Sequence, residues 1–168
     1  MPSRSYNQQV DAPRFGCDLM LGGLARWMRF AGFDVLYERT WPSTTMLARA
    51  RADGRWFLTR NRVLVARAGP RALWLHTSTT ELQVAELRQR LLLPRSLAPF
   101  SRCSRCNGRV LEVTRELVRD RVPPFVAMHA ERFYRCSACQ HIYWPGTHCE
   151  RISRRVEQLF GILPAKPP

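Results

Sequence analysis

Two C-x-x-C motifs restrict the possible fold of this chain more than any other feature. Cys103 and Cys106 form the first motif, and Cys136 and Cys139 form the second. A two-residue spacer lets both thiolates of a motif reach one ion, and two motifs from neighbouring hairpins complete a tetrahedral site. Such a site has no open coordination position. We therefore predict a structural Zn²⁺ on these four cysteines, contributing on the order of 10 kcal/mol to the folding of a small zinc ribbon.

A redox function is the alternative for these motifs. A thioredoxin-like C-x-x-C is expected singly, beside a strand and a helix, so two matched motifs favour a metal site. Cys17 and Cys149 lie outside the pattern, and we interpret them as a buried strand cysteine and a spare thiol.

The expected compartment supports metal ligation as well. No stretch approaches the roughly 18 apolar residues of a membrane span, and the polar N-terminus has no apolar signal region. We expect a cytoplasmic protein, in which six cysteines indicate metal ligation rather than disulfides.

Strands and helices alternate before the ribbon. Strands are predicted at residues 15–17, 35–37, 56–59 and 72–76, and helices at 19–31, 43–53, 62–68 and 78–93. We expect Ser43 or Thr44 to cap the second helix, and Ser78 with Glu81 to form a capping box on the last. This alternation implies parallel strands joined by right-handed crossovers, with helices on both faces of the sheet.

The predicted domain organisation follows from these patterns. It comprises a loose or disordered N-terminus (1–14), an α/β domain (15–94), a linker (95–100), the zinc ribbon (101–152), and a short helix with a Pro-rich tail (153–168).

A formal net charge of +14 predicts a polyanionic partner. Arginines outnumber acidic residues in the α/β domain and in the ribbon, so the charge does not come from one detachable tail. Arginine suits bidentate phosphate contacts and stacking on bases. RNA is therefore the expected partner, although a merely solvated surface and an acidic protein partner remain alternatives. The oligomeric state is not indicated.

Several polar side chains follow the predicted strands. Asp18, Glu38, Asn61 and His76 stand at the carboxyl ends, where open parallel sheets bind ligands. Metal-dependent nucleases place a carboxylate in the position of Asp18, although an N-cap role would also explain it.

A second group of residues is typical of RNA contacts. Arg26 and Arg29 lie off the apolar stripe of the first helix, where they could contact phosphate or simply be solvated. Arg60 and Arg62 flank Asn61 and are also RNA-binding candidates. In the ribbon, Tyr143, Trp144 and His148 could stack on or bond to an unpaired base, or could cover a small core.

Several of these motifs occur together in a known family. The run at residues 17–34, the run at 54–61, both C-x-x-C motifs and the run at 143–148 resemble the carboxy-terminal RNase domain of the mut-seven family. The resemblance covers about residues 15–152 and implies a PIN-like nuclease fold with an appended zinc ribbon. It also implies that Asp18 is the first active-site aspartate and that Asp34 is a recurrent acid of the family.

The chain departs from the family pattern at two places. Asn61 stands where the family normally has an aspartate, and residues 41–45 contain no carboxylate although an acidic patch is usual there. Asparagine keeps one ligating oxygen but lacks the charge that makes a hard-cation site tight.

Two functions are therefore expected. The first is a metal-dependent endoribonuclease with a weakened site, in which Asp18, with Glu38 or Asp34, holds Mg²⁺ or Mn²⁺. The second is a catalytically inactive RNA-binding or ribonucleoprotein component. Three or more carboxylates around one point would favour the enzyme, and an isolated Asp18 would favour the binding protein.

Overall fold

Four short parallel strands form the first sheet of the computed structural model, which describes residues 12–94 and 97–162. The strands lie in the order β2-β1-β3-β4. Their bounds are β1 Phe15–Cys17, β2 Val35–Leu36, β3 Trp56–Thr59 and β4 Ala72–Trp74. The helices between and after them are α1 Gly22–Phe30, α2 Ser43–Ala52, α3 Arg62–Ala68 and α4 Thr80–Arg90. The predicted parallel α/β architecture is confirmed.

Helices cover both faces of this sheet. Buried Met46, Ala50 and Leu64 of α2 and α3 pack on one face, around Phe57. A Cβ added to Gly16 of β1 would lie 2.7 Å from the Cβ of Ala50, so glycine permits the close approach of α2 to the sheet. The larger core cluster includes side chains of α1 and α4 on the opposite face.

The second sheet is antiparallel and belongs to the ribbon. Its strands are β5 Val110–Val113, β6 Phe133–Cys136 and β7 Ile142–Tyr143, in the order β5-β6-β7. A short helix, α5 Pro124–His129, lies between β5 and β6. The ribbon core consists of Val118, Val122, Phe133 and Ile142. So small an apolar cluster is consistent with a domain that needs a metal to fold.

The last helix is longer than predicted. Helix α6 spans Thr147–Phe160 rather than beginning near residue 153. Its buried side chains, Ile152, Val156, Leu159 and Phe160, join the larger core cluster of the α/β domain. The chain thus returns from the ribbon to complete the first core. The predicted Pro-rich tail, most of the N-terminal segment and part of the linker lie outside the described residues.

Several predicted ends shift by a few residues. Ser43 is the first residue of α2 rather than its cap, because Pro42 takes the N-cap position. Thr79 rather than Ser78 caps α4, its hydroxyl accepting from Leu82 N. The first predicted helix divides into a 3₁₀ turn at Leu19–Leu21 and α1. In the part of the chain that is described, no helix is both long and apolar enough to span a membrane.

Candidate functional site

Asp18 lies at the carboxyl end of β1 and is almost fully buried, with 2% of its surface exposed. Its Oδ1 accepts hydrogen bonds from the backbone N–H of Leu19 (2.7 Å) and the hydroxyl of Ser43, and its Oδ2 accepts from the Thr59 hydroxyl (2.8 Å). Both carboxylate oxygens are therefore satisfied by protein donors. Asp18 also caps the 3₁₀ turn, as the alternative interpretation had it.

The other polar groups predicted near Asp18 have separate partners. Glu38 is exposed, and its Oε1 accepts from the backbone N–H and hydroxyl of Thr40. Asn61 caps α3, its Oδ1 accepting from Val63 N (2.9 Å) and Leu64 N (3.4 Å). Among residues 12–94 and 97–162, only the four ribbon cysteines form a group of three or more metal-ligating side chains. Asp18 belongs to no such group there.

Asp34 lies at the other end of the sheet from Asp18. Val35 pairs with Phe15, so Asp34 is level with the start of β1, about 13 Å from Asp18 at the usual rise of a strand. Asp34 accepts from Arg55 (2.6 Å), Asn107 (2.8 Å) and Arg102 (3.4 Å).

The contacts of Asp34 give it a structural role. Burial tends to raise the pKa of its carboxyl, but the bonds from Arg55 and Asn107 and the nearby guanidinium groups lower it overall. Because Arg102 and Asn107 belong to the ribbon, the carboxylate fastens the ribbon to the α/β domain.

Arg29 also differs from its prediction as a phosphate contact. The residue is 2% exposed, and its guanidinium donates to the carbonyls of Val35 and Tyr37 and of Ser104 and Arg105. The last two carbonyls lie inside the first C-x-x-C motif. Arg29 therefore joins α1 and β2 to the cysteine site, and it is buried because these carbonyls replace its water.

The four predicted metal ligands come together. The Sγ atoms of Cys103, Cys106, Cys136 and Cys139 all lie within 4.8 Å of one another. Four thiols at these separations fit the tetrahedral, fully protein-coordinated geometry of structural zinc, and they could hold such an ion. A Cβ at Gly108 would lie 2.8 Å from the Cys136 sulfur, so glycine is needed beside the site.

Tyr143 connects the cysteine site to its surroundings. Its hydroxyl lies 3.0 Å from the Sγ of Cys103. Burial tends to raise the pKa of Cys103, but the hydrogen bond from Tyr143 and backbone N–H groups lower that pKa to about 7. The tyrosine therefore favours the thiolate form that a metal requires.

Four of the predicted RNA-binding residues line one cleft between the ribbon and the α/β domain. The cleft has a volume of about 330 Å³, and its lining includes Arg26, Phe30, Arg105, Tyr143, Trp144 and His148. Phe30 and Arg105 were not among the predicted residues. Arg105 is exposed and lies inside the first C-x-x-C motif, and its position in that motif was the available signal.

Arg60 and Arg62 occupy a different surface, beside Asn61 and the end of β3. The guanidinium of Arg62 lies 4.5 Å from the ring centre of Trp74. The indole of Trp74 donates to the Arg60 carbonyl (3.2 Å) and lies 4.0 Å from the ring of His76. Neither arginine lines the cleft.

Comparisons with known proteins give one match. The chain matches the family described as "Mut7-C RNAse domain" over residues 13–156. No curated protein and no solved structure matches the chain. The family match spans the sheet, the ribbon and most of α6, and it carries a nuclease-like, RNA-handling function. The chain therefore belongs to the Mut7-C RNase domain family.

Proposed function

We propose that this chain is an RNA-binding member of its family in which the hydrolytic centre has lost its metal-binding carboxylates. The observation that carries the proposal is the environment of Asp18. Ser43, Thr59 and the backbone of Leu19 satisfy both of its oxygens, and among the described residues Asp18 belongs to no group of three or more metal-ligating side chains.

The chemistry of divalent cations explains why this matters. Mg²⁺ and Mn²⁺ prefer negatively charged oxygen ligands, and metal-assisted hydrolysis needs the ion to activate water and to neutralise phosphate charge. Ser43 and Asn61 each offer only a neutral oxygen, and that of Asn61 is used in capping α3. The residues present at this edge therefore do not fit a tight Mg²⁺ or Mn²⁺ site.

RNA binding does not need such an ion. The net charge of +14 attracts a polyanion, and neutralising phosphates with arginine releases counterions. The family match supports RNA as the polyanion. An acidic protein is a less specific partner for the same charge.

A metal-dependent endoribonuclease is the second candidate. It is favoured by one observation, the position of Asp18 at the carboxyl end of a central parallel strand. Asp18 and Glu38 would have to hold the ion, because Asp34 lies at the other end of the sheet.

A cleavage assay with restored carboxylates tests the proposal. We expect the wild-type chain with labelled single-stranded RNA and Mn²⁺ to cleave no faster than Asp18→Ala. The double variant Ser43→Asp/Asn61→Asp should gain Mn²⁺-dependent cleavage and a Mn²⁺-dependent rise in Tm, since it adds two negative charges at the edge of the sheet that carries Asp18. Asn61→Asp keeps an N-cap acceptor, so α3 should be preserved.

Two controls make the result specific. Thr45→Asp/Asn61→Asp adds the same charge at an exposed position of α2 and should gain nothing. Adding Asp18→Ala to the restored variant should abolish the gain. Wild-type cleavage that requires both Mn²⁺ and Asp18 would establish the second candidate instead.

A further inference from the structure

We infer that the cleft between the ribbon and α1 holds one unpaired nucleotide of single-stranded RNA. Its base would stack on Tyr143 and Trp144, and its phosphate would contact Arg26 and Arg105. The inference rests on the proposed RNA-binding function and specifies the form of the RNA and the place where it is read.

The size and lining of the cleft fit a nucleotide. A volume of about 330 Å³ is at the small end of the range of ligand sites, which begins at roughly 300 Å³. Phe30, Phe100, Tyr143 and Trp144 supply aromatic surface on several sides. Base stacking on such rings is sequence-tolerant, because every base offers a flat π face.

The walls of the cleft are held in place before any ligand binds. The Tyr143 hydroxyl is anchored at Cys103 of the metal site, 3.0 Å away. The Phe100 backbone N–H donates to the Phe30 carbonyl at 2.8 Å, which fixes the linker to the end of α1. Binding to a preorganised aromatic site loses little side-chain entropy.

The charge of the cleft selects a phosphorylated ligand. Arg26 and Arg105 are both exposed, and none of the described residues that line the cleft carries a carboxylate. The Arg26 guanidinium lies 5.5 Å from the Phe30 ring centre, and an Arg105 nitrogen lies 3.2 Å from Nδ1 of His141. Arginines held in place by neighbouring rings, one over the face of Phe30 and the other at a ring nitrogen of His141, suit phosphate next to a stacked base.

The form of the RNA follows from the concave shape. Bases in a duplex are stacked and paired, so they cannot enter a cleft of one-nucleotide size without being flipped out. Bases in a single strand can be splayed onto aromatic side chains at little cost. A single strand is therefore the favoured ligand, and a duplex or an acidic peptide is an outcome for the experiment to separate.

Fluorescence of 2-aminopurine tests the inference on the full-length, metal-loaded chain. A single-stranded RNA carrying one 2-aminopurine should be quenched on binding, since stacking on an aromatic ring quenches this base. Trp144→Leu should abolish most of the quenching and weaken affinity about 5- to 100-fold, the range expected for losing one stacked base.

A second pair of variants does not depend on the folding of Trp144→Leu. Arg26→Ala/Arg105→Ala should weaken single-strand binding clearly more than Arg109→Ala/Arg154→Ala. The control pair removes the same charge from two exposed arginines that do not line the cleft. Binding of a duplex of equal length should fall by the same small factor for both pairs.

The outcomes separate the two proposals. If RNA binds but 2-aminopurine is not quenched, or if both arginine pairs behave alike on single strands, the nucleotide site is wrong and RNA binding stands. An equal effect of the cleft pair on the duplex would also overturn the single-strand assignment. If neither form of RNA binds, the proposed function itself fails.

Discussion

Asp34 accepts hydrogen bonds from three side chains that come from both parts of the molecule. Arg55 precedes β3, whereas Arg102 and Asn107 flank the first C-x-x-C motif. Asn107 also accepts from the backbone N–H of Val35 (2.9 Å), so the connection is reciprocal. The Asp34 carboxylate, which the sequence analysis considered for catalysis, joins the ribbon to the α/β domain.

Replacing Asp34 should therefore lower stability. We expect Asp34→Asn to lower the free energy of unfolding by about 1–3 kcal/mol. The Asp34 side chain is only 19% exposed, and its replacement leaves the guanidinium groups of Arg55 and Arg102 less well paired. Asp53→Asn is the matched control: Asp53 also pairs with Arg55, but it is 42% exposed and should cost at most about 1 kcal/mol. Urea unfolding of the metal-loaded chain measures both.

The pH dependence of that difference has a defined sign. The pKa of Asp34 is lowered below its ordinary 3.8 in the folded chain. Its contribution is therefore fully present above the ordinary pKa and is lost as the pH falls through the lower, folded value. Equal effects of Asp34→Asn and Asp53→Asn near neutral pH would contradict the role given to Asp34.

Single residues were predictable where the signal is local. The four cysteines have a spacing that identifies them, and Asp18 follows a recognisable strand. Arg29 was not predictable, because its helical position lies off the apolar stripe and its acceptors in Ser104 and Arg105 are remote in sequence. Ser43 and Thr59 were missed for the same reason, since their partner Asp18 belongs to another element.

The two C-x-x-C motifs and the elements around them depend on one another. Arg29 of α1 donates to carbonyls of the first C-x-x-C motif, and Tyr143 of β7 contacts Cys103. Loss of the metal should therefore disturb α1 and the cleft as well as the ribbon.

Removing one thiol tests this connection. Elemental analysis should find about one Zn²⁺ per wild-type chain. We expect Cys136→Ser to lose most of this metal and to have a free energy of unfolding lower by several kcal/mol. Cys149→Ser is the control, because Cys149 is half-buried, bonds to the Trp144 carbonyl and lies outside the metal site. Full metal content in Cys136→Ser, or equal loss in Cys149→Ser, would count against the site.

Elements were predicted well where a periodic pattern exists. Strands β1 and β3 have the predicted bounds, since each is a short apolar run bounded by polar residues. The two-residue strand β7 and the six-residue helix α5 are too short to show a period, and neither was predicted. The predicted start of helix α6 was too late in the sequence, because the first turn of the helix lies at the end of the aromatic run 143–148 and resembles part of the ribbon.

At the scale of the whole molecule, the ribbon and the α/β domain share a cleft and part of their core. Helix α6 leaves the ribbon and buries Val156 and Leu159 in the core of the first domain. The cleft takes residues from α1, the first cysteine motif, β7 and α6. The sequence predicted a basic RNA-handling molecule but not this shared surface, which depends on contacts between distant segments.

The measurement that tests the central claim most directly is the affinity for single-stranded RNA as a function of salt, with and without divalent ions. In a buffer free of divalent ions, we predict that affinity falls about 10- to 100-fold between about 50 and 200 mM KCl, as expected for roughly three to five phosphate contacts. Adding Mg²⁺ or Mn²⁺ at constant ionic strength should not tighten binding. Affinity that is insensitive to salt, or that requires a divalent ion, would contradict the account.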